Sequence, residues 1–331
     1  MVTIKDVAKK VGVSTAAVSY ALNGKEGLAN EKRKEILDAA QSMGYIPNQQ
    51  ARSLVNKKSA IVGIIVSDVT TAYNSEIVKY LERYAHNIEK QVMLGCSSGD
   101  ITKERFLFER FIAQKMDGII IFPTKQTDKE QLLTYANIIN KCSADILIVA
   151  PRVENLRCKF FDTEIEDGMS KIVRYLKRDR GYKNVILIST TEKNIYNSRK
   201  EAGFAGAFRA LDEDWTDSIY RFEPEDNFEA AKRSIQTFLK TNPLPDAIMA
   251  INDISALAMV RQLTEMGYNV PGDVCVTGFD GIDFSDYSDL KITTAGFDRK
   301  NLSKRCMNML FQEEQTYETV GLELIMGNTT R

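Results

Sequence analysis

Residues 3–24 read TIKDVAKKVGVSTAAVSYALNG and contain two short helical patterns separated by a turn. The apolar positions of the first pattern recur at i, i+3, i+4 and i+7, which is the spacing of one helix face. They are Ile4, Val7, Ala8 and Val11. Gly12 ends this pattern, because glycine readily adopts the left-handed conformation that closes many helices. Ser14 is a suitable N-cap for the second helix, which we expect from about Thr15 to Leu22.

A third helical pattern follows Asn30 and ends at Gly44. Its expected core face consists of Ile36, Leu37, Ala40 and Met43. In the second helix, Val18 and Leu22 have the spacing of inward positions. Two short helices joined by a turn of about three residues, with a third helix beside them, form a helix-turn-helix unit. The alternative is a helical hairpin that serves some other interface.

The second helix of such a unit can enter the major groove of DNA, where its outward side chains face the base edges. The expected base-reading positions are Thr15, Ala16 and Tyr20. Side chains at the two ends of this helix are expected to hold phosphate groups. These side chains are Ser14, Ser19 and Asn23.

The distribution of charge supports a polyanionic partner. The whole chain of 331 residues has a formal net charge of −1. Residues 1–60, however, carry ten Lys and Arg against five Asp and Glu, which leaves the remainder acidic. A basic N-terminal region on an acidic body is typical of a protein whose N-terminal region binds nucleic acid. A charged surface that is merely solvated is the alternative.

Residues 44–58, GYIPNQQARSLVNKK, follow the third helix. Pro47 ends that helix, and a new helix could extend from Asn48 to about Asn56. A helix of that length is shorter than the roughly 12–15 residues that make an isolated helix marginally stable, so we expect it to order only against a partner. Leu54, next to basic side chains that include Arg52, suits an apolar wedge in a minor groove. A plain interdomain linker is the alternative, although linkers are usually richer in Gly, Ser or Pro.

From Ser59 onward, short apolar runs alternate with amphipathic stretches of about a dozen residues. The predicted strands are Ile61–Val66, Val92–Gly95, Gly118–Phe122, Ile146–Ala150, Val185–Ile188, Ala247–Ile251 and Val274–Thr277. This alternation indicates open, doubly wound parallel sheets with helices on both faces. A break near residues 152–161 divides the strands between two lobes, and ligands of such sheets bind outside the carboxyl ends of the strands.

Short motifs spread over the whole chain resemble the LacI/GalR family of bacterial transcriptional repressors. In the N-terminal part they are TIKDVA (3–8), GVST (12–15), VS (18–19), LNG (22–24), GYIPN (44–48) and ARSL (51–54). In the body they are MDGII (116–120), EAGF (201–204), PDAI (245–248), IND (251–253), ALA (256–258) and GFD (278–280). The N-terminal motifs stand at the family's spacing without gaps, so the resemblance is far more specific than a helix-turn-helix pattern alone.

The resemblance implies three parts of the chain. They are an all-α helix-turn-helix headpiece over 1–47, a hinge helix or linker over 48–58, and an effector-binding and dimerisation domain over 59–331. This domain is expected to be α/β and two-lobed, like a periplasmic sugar-binding protein. The expected lobes are 59–155 with about 290–318, and 160–285 with the C-terminal tail. Three crossings are expected near 151–161, near 282–291 and before the C-terminus. In the hinge, the expected DNA contacts are Asn48, Ala51, Arg52 and Leu54.

The resemblance also implies a set of ligand contacts in the cleft between the lobes. They are Tyr73, Asn74, Asp162, Lys200, Phe222, Asn252 and Asp280. Carboxylate and amide side chains of this kind suit the hydroxyl groups of a sugar. Asp253 is left out because we expect it to cap the next helix. Many family members have an aromatic residue in place of Asn74 and an arginine in place of Lys200, and lysine cannot make the bidentate contacts of arginine.

Composition argues against catalysis, metal binding and secretion. The five cysteines are scattered, and the single histidine is His86. Residues 95–99, GCSSG, match a nucleophile-elbow pattern, but His86 precedes them, whereas the triad histidine of that fold follows its nucleophile. We therefore expect no catalytic residue, no metal and no cofactor. The absence of a long apolar run and of a signal-peptide pattern predicts a cytoplasmic protein without a membrane partner.

The sequence as a whole predicts a DNA-binding transcriptional regulator, specifically a repressor of carbohydrate-utilisation genes. We expect it to bind a palindromic operator as a homodimer, with its affinity controlled by a sugar or phosphosugar in the cleft. One alternative is a catabolite-control regulator whose DNA affinity is set by a docked phosphocarrier protein. An alternative from another class is a sugar-binding receptor without a DNA function.

Overall fold

The computed structural model describes residues 2–46, 59–124, 129–191, 195–223, 227–283, 289–312 and 316–331. Two compact units divide the chain, the first ending at Ser59 and the second running from Ala60 to Arg331. The predicted hinge helix lies outside the described residues. So do its four expected DNA contacts, which are Asn48, Ala51, Arg52 and Leu54.

The first unit contains the three predicted helices. They are α1 (Ile4–Val11), α2 (Thr15–Leu22) and α3 (Asn30–Ser42). The Ser14 hydroxyl accepts a hydrogen bond from the backbone N–H of Ala17 at 3.1 Å, so Ser14 caps α2 as predicted. Gly12 closes α1 with a φ of 70°, in the left-handed region that glycine tolerates best. The helix-turn-helix prediction is confirmed.

Six small or medium apolar side chains form the buried core of this unit. They are Val7, Ala8, Val18, Ala21, Ile36 and Ala40. Leu37 is 40% exposed, so its predicted place on the core face is wrong. Ile36 and Ala40 already define the inward face of α3, and Leu37 is rotated by about 100° from Ile36. In α2, Ala21 takes the fully buried position, whereas Leu22 is half-buried.

The second unit alternates strands and helices. Its strands are β1 (Ile61–Val66), β2 (Gln91–Cys96), β3 (Gly118–Ile121), β4 (Asp145–Ile148), β5 (Lys159–Thr163), β6 (Val185–Ser189), β7 (Ile219–Arg221), β8 (Ala247–Ala250), β9 (Cys275–Thr277), β10 (Thr294–Gly296), β11 (Tyr317–Val320) and β12 (Glu323–Ile325). Its helices are α4 (Ala72–Asn87), α5 (Ile101–Ala113), α6 (Lys129–Thr134), α7 (Ala136–Ile139), α8 (Ile165–Arg174), α9 (Ile195–Arg209), α10 (Phe228–Thr241), α11 (Asp253–Glu265) and α12 (Arg299–Phe311). A turn of π-helix, Tyr175–Asp179, continues α8. All seven predicted strands are present, and β5, β7, β10, β11 and β12 were not predicted.

Two parallel sheets organise this unit into two lobes. The first sheet has the order β11-β5-β4-β3-β1-β2, and the second has the order β7-β6-β8-β9. β10 and β12 form a separate antiparallel pair. The strand order reverses between β1 and β3 in the first sheet and between β6 and β8 in the second. Ligands of open parallel sheets bind at such reversals, outside the carboxyl ends of the strands.

Both faces of the first sheet are buried at its central strands, which explains why β1, β3 and β4 are almost wholly apolar. Ile64 of β1 packs into a cluster with α4 and α12, whereas Ile65 packs into a cluster with α5 and α7. Successive side chains of β1 therefore point to opposite faces of the sheet, as strand geometry requires. The expected two-lobed fold with doubly wound parallel sheets is confirmed.

The first two crossings between the lobes lie later in the chain than predicted. β5 belongs to the first sheet, so the first crossing is at Glu164 and not within 151–161. The buried rings of Phe160 and Phe161 hold β5 between β4 and β11. The second crossing follows β10, at residues 297–298, instead of within 282–291, and the third is at Gly321 between β11 and β12. The predicted lobe limits of 155, 160, 285 and 290 shift accordingly.

Candidate nucleic-acid interface and interlobe cleft

One face of α2 is exposed along its whole length. Thr15 and Ala16 are exposed in its first turn, and Tyr20 is 45% exposed one turn further on. The opposite face is buried through Val18 and Ala21. This division arises because the inward residues follow helical spacing and leave the predicted base-reading positions on the outside.

Side-chain hydrogen bonds fix both ends of α2. Ser14 caps the N-terminus, as described above. At the C-terminus, the Asn23 side-chain amide donates to the Ser19 carbonyl at 2.8 Å and to the Ser19 hydroxyl at 3.2 Å. The ammonium group of Lys25 lies 5.7 Å from the centre of the Tyr20 ring. The exposed face of α2 is therefore rigid, and a cation stands beside its aromatic side chain.

In the second unit, side chains at the carboxyl ends of the two sheets meet in one cleft. The Tyr196 hydroxyl, on α9 of the second lobe, donates to the carbonyl of Pro123 at 3.4 Å. Pro123 follows β3 of the first lobe, so this contact crosses the cleft. Burial raises the pKa of Tyr196 above its usual range, and the phenol therefore remains a neutral donor at physiological pH.

Arg199 of α9 forms hydrogen bonds with residues at the first crossing between the lobes. Its guanidinium donates to both carboxylate oxygens of Asp162 at 2.8 and 3.3 Å, and to the carbonyl of Thr163 at 3.0 Å. It also donates to both oxygens of Glu166, at 2.6 and 2.7 Å. Burial acts to lower the pKa of Arg199, but the hydrogen bonds to Glu166 and Asp162 raise it overall. Arg199 therefore stays charged and ties α9 to the end of β5.

Lys200, the neighbour of Arg199, bonds within the second lobe. Its ammonium group donates to the carbonyl of Ile251 at 2.8 Å and to the carboxylate of Asp280 at 3.2 Å. It also lies 4.5 Å from the centre of the Phe279 ring. Lys200 thus connects the carboxyl ends of β8 and β9.

Arg299, at the start of α12, connects the second lobe to α4. It donates to the carbonyl of Gly281 at 2.8 Å and to that of Asp280 at 2.5 Å, and it pairs with the Glu76 carboxylate at 3.1 Å. Its guanidinium carbon lies 5.6 Å from the centre of the Tyr73 ring. Burial raises the pKa of Tyr73, and the negative charge of Asp280 adds to this effect.

Asn74 has a different setting from the one we predicted for a ligand contact. Its side-chain amide donates to the carbonyl of Asp68 at 2.7 Å and to the hydroxyl of Ser67 at 3.3 Å. Asn74 is only 7% exposed. These bonds join the first turn of α4, which carries Tyr73, to the turn after β1. Whether Asn74 also contacts a ligand stays a prediction.

The cap expected at Asp253 is formed by Asn252 instead, and the ligand contact expected of Asn252 stays a prediction. The side-chain oxygen of Asn252 accepts from the backbone N–H of Ser255 at 2.8 Å, so Asn252 caps α11. Asp253, expected as the cap, is fully buried and accepts from the backbone N–H of Ile282 at 2.6 Å. Burial, reinforced by the charge of Asp280, raises the pKa of Asp253 to about 8. The buried carboxyl group of Asp253 therefore holds the loop after β9 through its hydrogen bond with the Ile282 backbone.

The remaining predicted residue, Phe222, is half-buried and stacks on Tyr220 with ring centres 6.3 Å apart. A separate surface depression of about 350 Å³ lies beside the first crossing and is lined in part by Arg152, Arg157 and Lys159. None of the predicted ligand contacts lines it. Its location differs from that of the cleft, where buried polar side chains converge, so the cleft is the better candidate site.

Comparison with known proteins assigns the family. The profile described as bacterial regulatory proteins, lacI family, matches residues 3–48. The profile described as a periplasmic binding protein-like domain matches residues 173–321. The chain therefore carries a lacI-family DNA-binding domain followed by a periplasmic-binding-protein-like domain. As a lacI-family member it is a DNA-binding transcriptional repressor and not an enzyme.

Relatives of this lacI-family chain align over nearly its whole length. The repressor PurR of Pasteurella multocida is 29% identical, with 98% of this chain and 96% of the relative covered. The repressor CytR of Escherichia coli is 25% identical, with 99% and 96% covered. Catabolite control protein A of Priestia megaterium is 28% identical, with 84% and 82% covered.

Solved structures agree on the fold of this lacI-family chain. The Lac repressor dimer bound to operator and the anti-inducer ONPF superposes with a TM-score of 0.88 at 21% identity, covering 99% of both chains. The regulator CelR in complex with cellobiose superposes with a TM-score of 0.68 at 18% identity, covering 99% and 100%. Among the helices that the structure describes, none is long and apolar enough to cross a membrane.

Sequence reasoning missed three residues of the cleft in this lacI-family chain, namely Tyr196, Arg199 and Arg299. Arg199 points about 100° away from Lys200 on the helix. That direction leads to Asp162, which was itself a predicted ligand contact. The acidic pair Asp162 and Glu166, spaced four residues apart, was the available signal for a nearby cation.

Proposed function

We propose that this repressor binds a palindromic operator as a homodimer and that a sugar or phosphosugar in the interlobe cleft controls its affinity for DNA. The genes it controls would be those of carbohydrate utilisation. The exposed face of α2 carries the DNA part of this proposal, because Thr15, Ala16 and Tyr20 face outward from a capped, rigid helix. Residues 48–58 would order on DNA and place Leu54 in the minor groove.

Two half-sites are needed because one α2 helix offers few base contacts. Support for a second copy comes from an apolar region on the first lobe. β2 is the last strand of its sheet, and Leu94 on this strand is 43% exposed. Phe106, on the following helix α5, is 53% exposed. An open sheet edge with exposed apolar side chains is unusual for a monomer and suits a symmetric contact with a second copy.

Contacts across the cleft could couple the binding of a ligand to the affinity for DNA. Arg199 joins α9 of the second lobe to Asp162 at the first crossing, and Arg299 joins the loop after β9 to Glu76 of α4. A ligand that bonds to Asp162 or Asp280 would therefore alter contacts that set the angle between the lobes. In a dimer, that angle would set the separation of the two hinge segments and shift the population that can fold on DNA.

Fluorescence anisotropy with full-length protein tests this proposal. The DNA would be a pseudo-palindromic duplex selected from the genome, compared with a random duplex, in the presence and absence of a panel of sugars. We expect preferential binding to the selected site and a change of affinity with at least one sugar. Asp280→Ala should weaken the response to the sugar while DNA binding persists. Equal affinity for both duplexes under all conditions would refute the proposal.

A phosphocarrier protein as co-regulator is a second candidate, and one surface favours it. α4 and α12 pack side by side, and their exposed positions include Lys79, Arg83, Lys300 and Lys304. A cluster of cations on two adjoining helices suits an acidic or phosphorylated protein surface. Anisotropy titrations with the phosphorylated and unphosphorylated carrier would test it. A gain in operator affinity with the phosphorylated form alone is expected, and no change with either form would exclude this partner.

A further inference from the structure

Among the residues that the structure describes, Arg199, Lys200 and Arg299 are the cationic side chains at the interlobe cleft, and each is already bonded to acceptors of the protein. The Lys200 ammonium group has three N–H bonds, and it meets three acceptors: the Ile251 carbonyl, the Asp280 carboxylate and the Phe279 ring. Because the side chain is only 9% exposed, these contacts enclose it. Lys200 therefore has little capacity left for an anionic ligand.

The guanidinium groups of Arg199 and Arg299 are likewise already bonded to acceptors of the protein. Arg199 holds two carboxylates and a backbone carbonyl, as described above. Arg299 holds the Glu76 carboxylate and the carbonyls of Asp280 and Gly281. One of its N–H groups, at Nε, is buried and has no hydrogen-bond partner among the described residues. This single buried N–H cannot form the two parallel bonds with which arginine usually binds a phosphate.

The described side chains at the cleft include more carboxylates than cations. Arg199 faces Asp162 and Glu166, whereas Lys200 faces Asp280. Arg299 faces Glu76. Four carboxylates thus oppose three cations, even if the buried carboxyl of Asp253 stays protonated. A phosphate ester entering here would meet no surplus positive charge from the described side chains and would approach several carboxylates at short range.

Helix N-termini are the other common phosphate-binding feature, because their free N–H groups point at the anion. Two helices that begin at this cleft are capped by their own side chains. The Thr71 hydroxyl accepts from the backbone N–H of Asn74 at 3.3 Å at the start of α4. The Asn252 side chain caps α11 in the same manner. These two N-termini are therefore already occupied.

From the paired cations, the excess of carboxylates among the described residues and the capped N-termini of α4 and α11, we infer that the cleft binds an uncharged polyhydroxylated molecule and rejects its phosphate ester. Hydroxyl groups of such a ligand can donate to the carboxylate oxygens of Asp162 and Asp280, which accept but cannot donate when ionised. This inference rests on the proposed function and narrows its ligand from sugars and phosphosugars to the uncharged members.

Isothermal titration calorimetry of the full-length protein tests the selectivity directly. The probes are matched pairs, glucose with glucose 6-phosphate and ribose with ribose 5-phosphate, together with inorganic phosphate. We expect no saturable binding of phosphate or of either ester, and any sugar that binds should bind at least about tenfold more tightly than its ester. Saturable binding of an ester or of inorganic phosphate that Lys200→Gln abolishes would overturn the inference.

A gain-of-binding variant makes the test independent of the unknown ligand. Asp280→Asn keeps the shape of the side chain but leaves the Lys200 ammonium group without its carboxylate, so this variant should acquire saturable, salt-sensitive phosphate binding. Glu109→Gln, which breaks an exposed ion pair with Arg105 on α5, is the matched control and should not. Thermal unfolding of both variants verifies that they are folded. An Asp280→Asn protein that still ignores phosphate would contradict the claim that the paired carboxylates exclude the anion.

Failure of this inference is distinguishable from failure of the proposed function. If a phosphosugar binds and changes operator affinity, the repressor proposal stands and only the neutral-ligand claim falls. If specific DNA binding is absent, the proposed function falls, while the calorimetric comparison of sugars with their esters still measures the charge selectivity of the cleft.

Discussion

The guanidinium of Arg199 holds the carboxylate of Asp162 through two contacts of 2.8 and 3.3 Å, although the two residues are 37 positions apart in the chain. Asp162 ends β5 of the first sheet, and Arg199 belongs to α9 of the second lobe. The pair therefore spans the first crossing, where a change in the angle between the lobes would be felt. Its partial burial makes it more consequential than an ion pair on the surface.

Loss of this pair should destabilise the second unit. We expect Arg199→Ala to lower the free energy of unfolding by roughly 2–4 kcal/mol, because it leaves the nearly buried Asp162 carboxylate without its main partner. Urea unfolding followed by circular dichroism measures the change. Arg105→Ala is the control, since it breaks an exposed pair with Glu109 on α5 and should cost no more than about 0.5 kcal/mol. Equal effects of the two variants would argue against a structural role for Arg199.

The buried carboxyl of Asp253 should make stability depend on pH. Burial raises its pKa from 3.8 to about 8, so between these values the native state keeps a proton that the unfolded chain has lost. Stability from this group therefore falls as the pH rises from about 5 to about 8, by at most about 1.4 kcal/mol per pH unit. Asp253→Asn retains an acceptor for the Ile282 N–H and should flatten this slope in urea unfolding.

Asp214→Asn provides the control for this pH dependence. Asp214 lies in an exposed turn, and hydrogen bonds from Thr216 hold its pKa below the usual value. It is therefore ionised in both states throughout the pH range of the experiment, and its replacement should leave the slope unchanged. A slope that persists undiminished in Asp253→Asn would assign the pH dependence to other groups.

Tyr20 should contribute to recognition of the operator. We expect Tyr20→Ala to weaken specific binding by about tenfold, or ~1.4 kcal/mol, while the dependence on salt concentration stays the same. Anisotropy titrations at several salt concentrations measure both quantities. Leu37→Ala removes another exposed headpiece side chain, on α3, and should have no such effect. A parallel loss of specific and non-specific binding in Tyr20→Ala would show that the ring does not read bases.

The open edge of the first sheet should mediate self-association. Leu94→Asp and Phe106→Asp place charges at two exposed apolar positions, and each should raise the dissociation constant of the dimer by about tenfold or more. Sedimentation velocity over a range of protein concentrations measures this constant. Leu133→Asp, at another exposed apolar position on α6, serves as the control. A dimer that survives both edge substitutions would place the interface elsewhere.

Local patterns predicted most of the architecture. The i, i+4 spacing around Val18 and the short apolar run Ile61–Val66 correctly indicated a helix and a buried strand, because burial imposes the periodicity. Leu37 was misplaced because an apolar residue can remain exposed next to a core position. β5 was missed because Phe160 and Phe161 are flanked by charged residues, which gave no clear apolar run.

The cleft was less predictable, because its geometry depends on contacts between distant residues. The sequence identified Asp280 as a residue that follows a strand, but its bond to Lys200 joins positions 80 apart. Asn252 and Asp253 are both good N-cap residues, and only the buried site beneath the loop after β9 distinguishes their roles. Arg299 stands next to Asp298, the cap of α12, and nothing in that local sequence reveals its partner on α4.

Control of specific DNA binding by the cleft is best tested by one titration. Operator affinity of the full-length protein would be measured by anisotropy, with a sugar that calorimetry shows to bind, for the unmodified protein and for Asp280→Ala. We expect the sugar to change the affinity of the unmodified protein between several-fold and about a hundredfold, and to change that of the variant far less. If the affinity for the operator stays the same when the sugar occupies the cleft, the account is contradicted.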